Sequence, residues 1–159
     1  MESTDISIVQ AGPEDAVEIL ALQKLAHQAE AELYDDWTIP PLTQSLSEIE
    51  AEFEGKTFLK AMCRDRIVGS VRASLDSDTC LVGRLVVHPD CQGRGIGTRL
   101  MEKIEAVLSR AKRFELFTGT RSVGNIRLYR KLGYREYREE QLSPEVRLVF
   151  MEKRPEKRP

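Results

Sequence analysis

No apolar run in this chain approaches the roughly 18 residues that a membrane helix needs, and Met1-Glu2-Ser3-Thr4-Asp5 lacks the basic and apolar regions of a signal peptide. Both absences lead to the expectation of a cytoplasmic protein with no membrane partner. Cysteine is scarce and unpatterned. Cys63, Cys80 and Cys91 are an odd number without CxxC spacing, which argues against a disulfide framework and against a zinc site. They are expected to be small buried apolar residues, and no metal cofactor is expected. Net charge is nearly missing as well, at -2, which argues against a dedicated nucleic-acid binder.

That small total conceals a lopsided chain. Residues 1 to 54 hold thirteen acids and a single base, Lys24, whereas residues 55 to 159 hold 23 bases and 13 acids. Two differently charged ligands would suit this asymmetry, and so would a plain segregation of solvated faces. With 159 residues, 41% apolar and 31% charged, the chain has the size and composition of one globular domain. A single domain is expected over 1–152, with the basic residues 153–159 as a frayed tail.

Periodicity divides the chain into strands and helices. Ile6-Ser7-Ile8-Val9 alternates as a strand does, and Pro13 to about Ala31 has helical spacing, opened by Pro13, Glu14 and Asp15. The stretch Asp35 to Pro41 reads as a loop, because Pro41 restrains Pro40, and Leu42 to Glu54 reads as a second helix. Thr57–Met62 and Ile67–Leu75 form a hairpin around Arg64-Asp65-Arg66, and Leu81–Val87 is a third β-rich run with the character of a central strand. A strong amphipathic helix follows from Thr98 to Arg110. Then come a strand at Phe114–Thr118, a short helix at Asn125–Leu132 ended by Gly133, and strands from Tyr134 and Val146. The order β-α-α-β-β-β-α-β-α-β-β is α+β, or mixed α/β, and not a regular doubly wound sheet.

The most informative segment is Gln92-Gly93-Arg94-Gly95-Ile96-Gly97-Thr98, which joins the third β-rich run to the strongest helix. Successive N–H groups in such a glycine loop converge on an anion at the positive end of the helix. Two known phosphate loops fit poorly. A P-loop needs Lys-Ser or Lys-Thr after its glycines, and a dinucleotide loop needs a third glycine where Thr98 stands. A glycine-rich helix entry with no ligand is the remaining plain reading.

Gln92-Gly93-Arg94-Gly95-Ile96-Gly97 also matches, at every specified position, the Q/RxxGxG/A signature of the GNAT family of N-acetyltransferases, which the chain therefore resembles. Leu85-Val86-Val87-His88-Pro89 upstream strengthens the resemblance. So does Asn125-Ile126-Arg127-Leu128-Tyr129 with Gly133-Tyr134 downstream. The resemblance covers about residues 57 to 152. It implies the acyl-CoA N-acyltransferase fold, with a mixed sheet of about seven strands splayed by a bulge. It also implies transfer of an acetyl group from acetyl-CoA to a small-molecule or peptide amine, by direct attack in a ternary complex. Relatives of this kind are often homodimers.

The same resemblance assigns residues. Main-chain groups of Leu85, Val86 and Val87 would hold the pantetheine arm of acetyl-CoA. The amides of Gln92, Gly93, Arg94, Gly95, Ile96, Gly97 and Thr98 would hold its pyrophosphate, with Arg94 adding side-chain charge. Asn125 would face the cofactor and also cap its helix. A strand N–H near Val87 would serve the oxyanion. Tyr129 would protonate the departing thiolate, since a phenol keeps its proton at neutral pH. From spacing alone Tyr129 is plain core, sharing a helical face with Ile126 and Leu132. Tyr134 reads as sheet core.

The general base does not carry over. Many relatives have a glutamate on the fourth strand where this chain has Gly83, followed by Arg84. His27 and Asp35 are conceivable substitutes. Eight carboxylates and no Lys or Arg between His27 and Glu54 point to a cationic acceptor, with Tyr34 at its pocket and Trp37 packed under its loop. The missing glutamate also keeps open a different class of function, an acyl-CoA-binding sensor or interaction module with little catalysis.

Overall fold

The computed structural model describes residues 5–155. The first four residues, which carry most of the segment read for a signal peptide, and the last four of the basic tail lie outside the described residues. Lys153, expected in that tail, instead ends a strand and holds Glu105 through its ammonium at 2.7 Å.

Seven strands form one sheet: β1 (Ile6–Gln10), β2 (Thr57–Cys63), β3 (Arg66–Asp76), β4 (Thr79–Val87), β5 (Arg113–Gly119), β6 (Arg135–Gln141) and β7 (Arg147–Lys153). Their spatial order is β1-β2-β3-β4-β5-β7-β6. All pairings are antiparallel except that of β4 with β5. The parallel contact is short: Thr79, Cys80 and Leu81 face Arg113, Phe114 and Glu115, and beyond Leu81 the strands part. The divergence begins at an irregularity in β4. Ser70 faces Val86 whereas Arg72 faces Gly83, so Val71 alone opposes both Arg84 and Leu85. Arg84 takes φ 54 there, the left-handed conformation of a β-bulge, which bends the strand and increases its twist.

Helices cover both faces of the sheet. They are α1 (Ala16–Ala26), α2 (Gln28–Tyr34), α3 (Pro40–Thr43), α4 (Leu46–Glu52), α5 (Ile96–Val107) and α6 (Val123–Lys131). Leu100, Met101 and Ile104 of α5 recur at helical spacing and are fully buried against Val71, Phe114 and Met151 of the sheet. Truncating one such side chain, Leu100→Ala, costs about 2–5 kcal/mol in cores of this kind. On the opposite face Ile19 and Leu22 of α1 and Ile49 of α4 pack on Phe58 and Ile67.

Several boundaries depart from those read in the sequence, each for a local reason. The helix expected from Pro13 to Ala31 is a 3-10 turn over Pro13–Asp15 and then two helices that break at His27. There His27 takes φ -89 and ψ 1, and its ring Nδ1 reaches the Gln23 carbonyl at 2.9 Å beside its own backbone N–H at 3.1 Å. The expected loop around Pro40-Pro41 contains α3, since both prolines sit in its first turn, where no N–H is required. Ser45 starts α4 four residues later than expected, in a reciprocal cap with Glu48. Asn125 is not a cap: α6 begins at Val123, with Ser122 in the cap position. Trp37 is 54% exposed rather than packed under its loop, and Val107 is likewise exposed at the end of the α5 stripe. Tyr134 is buried as read, its hydroxyl donating to Glu105 at 2.9 Å. Of the cysteines, Cys80 is fully buried, and burial pushes its thiol up to about 11; Cys63 and Cys91 are half-buried.

Candidate active site

Two cavities meet where β4 and β5 part. The first, about 570 Å3, lies between the end of β4, the loop before α5 and the start of α6. Leu85, Val86 and Val87 line it, as do Gln92, Gly93, Gly95, Ile96, Gly97, Thr98 and Asn125. Every cofactor residue read from the sequence is thus brought to one cleft except Arg94, which stands exposed on the same loop and does not line it. Gly93 and Gly95 have φ 79 and 78, a conformation that residues with a Cβ adopt only under strain. Gly95 is the N-cap of α5, so the N–H groups of Ile96, Gly97 and Thr98 have no partner within the helix and sit at its positive end. Because β5 pairs with β4 only as far as Leu81, that edge of Leu85–Val87 carries main-chain groups without a strand partner.

The second cavity, about 470 Å3, is floored by β4 beyond Leu81 and walled by α2, α3, β5 and the segment leading into β7. Tyr129 lines this cavity and not the first. His27, Glu30, Leu85 and Asn125 line both, and so mark the junction. Tyr34 also lines the second cavity; its hydroxyl accepts from the Arg121 N–H at 2.9 Å and meets Ser122 Oγ at 2.8 Å. Gly119 is required beneath it, since a Cβ there would collide with the Tyr34 ring.

Tyr129 is 7% exposed and meets Tyr134 edge to face at 6.1 Å. Burial, and then the negative charge of Glu30, push its phenol well above the ordinary value, so it is fully protonated at neutral pH. Among the described residues no group hydrogen-bonds its hydroxyl. His27 is buried, and burial lowers its pKa, partly opposed by Glu30 and by the Gln23 carbonyl. A carbonyl only accepts, so Nδ1 carries the proton in the 2.9 Å bond to Gln23, and Nε2 is the ring's proton acceptor. Asp35 is exposed and lines neither cavity.

Charge in the second cavity differs from what the acidic first third suggested. Only Glu30 and Glu52 of the eight carboxylates line it, beside Lys56, Arg72 and Arg84. Arg72 is 2% exposed, stacks 4.6 Å over Phe58, and donates to Glu52 at 3.0 Å and Gln23 at 2.5 Å. Burial draws its guanidinium down to about 10, against the pull of Glu52. Sequence reading held Glu30 only as one of the eight carboxylates and missed Arg72 and Arg84 as residues of this cavity. Glu30 was legible in principle, standing three residues after His27 and hence on the same helical side. Neither arginine carries a local signal.

A family model described as the acetyltransferase (GNAT) domain matches residues 54–136, just over half of the sequence. The chain belongs to this family. The match spans the strand, glycine loop and helix of the first cavity and extends through α6. A Bacillus subtilis relative, UPF0157 protein YqkA, is 28% identical over 121 residues, covering 76% of this chain and 35% of its own length. An uncharacterized N-acetyltransferase of Methanocaldococcus jannaschii, MJ1207, is 42% identical over 57 residues, covering 35% of this chain and 25% of its own. The chain therefore spans about a third or less of these relatives. Among solved structures, the PaiA N-acetyltransferase of Thermoplasma acidophilum in complex with coenzyme A has a TM-score of 0.78 at 16% identity, over 96% of this chain and all of that one. This likeness establishes the GNAT fold. Among the described residues no helix is long and apolar enough to cross a membrane, and no group of three or more His, Cys, Asp or Glu is placed to hold a metal ion.

Proposed function

We propose that this protein is an N-acetyltransferase that moves an acetyl group from acetyl-CoA to a primary amine by direct attack in a ternary complex. The observation that carries this reading is the meeting of two cavities at one gap in the sheet, one lined by orphan amides and the other by Tyr129. The first cavity fits the cofactor. Unpaired amides at a helix N-terminus suit a pyrophosphate, and the unpartnered edge of Leu85–Val87 suits the amide groups of a pantetheine arm. Asn125 holds the cavity wall, its amide donating to Thr118 Oγ1 at 3.3 Å. When bound, acetyl-CoA supplies an activated acyl group on a thiolate leaving group.

The chain's own residues handle charge and protons. A main-chain N–H near Val87 receives the negative charge that develops on the carbonyl oxygen. Tyr129, kept protonated by burial, gives its proton to the sulfur as it departs. His27 takes the place of the absent strand carboxylate. It is neutral at physiological pH, its Nε2 is left as acceptor by the bond to Gln23, and it lines the junction. Glu30, one helical turn on, favours the imidazolium that results.

Free-thiol release from acetyl-CoA across a panel of amines, with wild type and Tyr129→Phe, tests the reading. Turnover that falls in the variant while acetyl-CoA affinity holds supports an enzyme. Tight acetyl-CoA binding without turnover on any amine supports instead the sensor or interaction module that the missing glutamate suggested.

A further inference from the structure

Among the described residues the second cavity holds one charge of each sign that forms no ion pair. Glu52 is neutralised there, by Arg72 at 3.0 Å and Lys56 at 2.8 Å. Glu30 has only a marginal contact, from the Asn125 amide at 3.5 Å. Arg84 has neither a hydrogen bond nor an ion pair among the described residues, although it is half-buried and sits at the bulge that floors the cavity. Burial lowers the pKa of Arg84, and the charges of Glu52 and Glu30, neither in direct contact with it, offset this only in part; its fork of N–H donors matches a carboxylate. Donors are in excess nearby too, since Arg72 Nε is fully enclosed and has no acceptor. The two charges also differ in place. Glu30 lines both cavities, whereas Arg84 lines the second alone.

Resting on the transferase reading above, we infer that the acceptor is a small zwitterion, an amino acid whose ammonium meets Glu30 at the junction and whose carboxylate is held by Arg84. Phe117, Leu142 and Leu148 add an apolar wall, and the first two leave much of their surface exposed, which suits an apolar side chain on the acceptor. In the transfer the acceptor nitrogen bonds to the acyl carbon as the carbon–sulfur bond breaks. Of the two protons the ammonium gives up, one is matched by the proton that Tyr129 places on sulfur, and the other passes through His27 to solvent. The products are an N-acetylamino acid and free CoA. This replaces the cationic acceptor suggested by the acidic first third, because most of those carboxylates lie outside the cavity.

The test compares L-phenylalanine, L-leucine and L-methionine with their carboxamides, in two measurements on the full chain. One is thiol release from acetyl-CoA; the other is calorimetric binding to protein saturated with CoA. The amides have the less basic and more available amines at neutral pH, so a preference for the acids runs against intrinsic reactivity. The expected result is a preference for the acids of roughly 10- to 100-fold in both measurements, the size of a charge-assisted bidentate contact. Arg84→Gln collapses that ratio to within about threefold, chiefly through KM, and Arg84→Lys retains part of it. The wild-type ratio decides even if a variant folds poorly. Amides handled as well as acids, or no member of either series binding, overturns the inference. Acids that bind selectively without releasing thiol sustain the zwitterion site and overturn the transferase reading instead.

Discussion

The two cavities differ most in how their residues are distributed along the chain. The first takes about half of its wall from one segment, Leu85 to Thr98, and the rest from two others, 26–33 and 121–128. The second draws on His27, α2, α3, α4, β3, β4, β5, α6, β7 and the segment that leads into β7. On the proposed reading the cofactor site thus rests largely on local backbone, with amide groups and φ angles to do the recognising. On the same reading the acceptor site is built from side chains that only the tertiary fold brings together.

This contrast predicts that substitutions divide cleanly between the cavities. The largest effect belongs to Tyr129→Phe, which lowers kcat roughly 10²- to 10³-fold while the Kd for acetyl-CoA stays within about twofold. If the affinity falls as far as kcat, the division is wrong. His27→Gln lowers kcat/KM by roughly 10- to 100-fold and alters its pH profile. Burial holds the folded pKa of His27 below 6.5, so wild-type activity persists at neutral pH and falls only on the acid side. The same shift gives a sign for stability. The unfolded chain binds more protons between the folded pKa and about 6.5, so the stabilising contribution is complete above that value and is lost as pH falls through the window. Urea denaturation at stepped pH measures it, and His27→Gln removes it.

Gly95→Ala acts on the other cavity. Forcing a Cβ into φ 78 costs about 1–2 kcal/mol of stability, and acetyl-CoA affinity drops with kcat on bound complex little changed. Thermal melting and calorimetry read the two effects separately. The smallest effect is at Gly83→Ala. A Cβ there meets nothing within 4 Å and the backbone is not left-handed, so the melting midpoint moves by less than about 0.5 kcal/mol equivalent. A large loss at Gly83 would mean that the space over β4 is needed by something other than the acceptor.

The strands, the α5 stripe and the loop at Gln92–Thr98 were legible because their signals are local: alternation, helical period and glycine spacing. The break at His27 was not, because it lies in the backbone angles of one residue between two helices, which no periodicity registers. The short helix at Pro40 was misread because the restraint that Pro41 places on Pro40 was taken to forbid a helix, whereas both prolines sit in the first turn of α3. For the site, eleven of the twelve residues named from the motifs line the two cavities, Arg94 being the exception. Of the eight carboxylates read together, only Glu30 and Glu52 line the second cavity, because a tally of acids along the chain carries no information about which of them face inward. Arg72 and Arg84 come from β3 and β4, and their approach to α2 and α4 is set by the sheet.

The bulge at Arg84 also works as a parity switch. Cys80 and Val82, two apart, pack into the core beneath α5, and an unbroken pleat would send residues 84 and 86 the same way. Instead Leu85 and Val87 pack toward that core and Val86 joins the opposite one. One residue has been inserted that neither face counts, and every side chain after it has changed sides. A residue exempt from both cores is under no pressure to be apolar. The strand thereby places a cation in the middle of the sheet without interrupting the hydrophobic layer on either side.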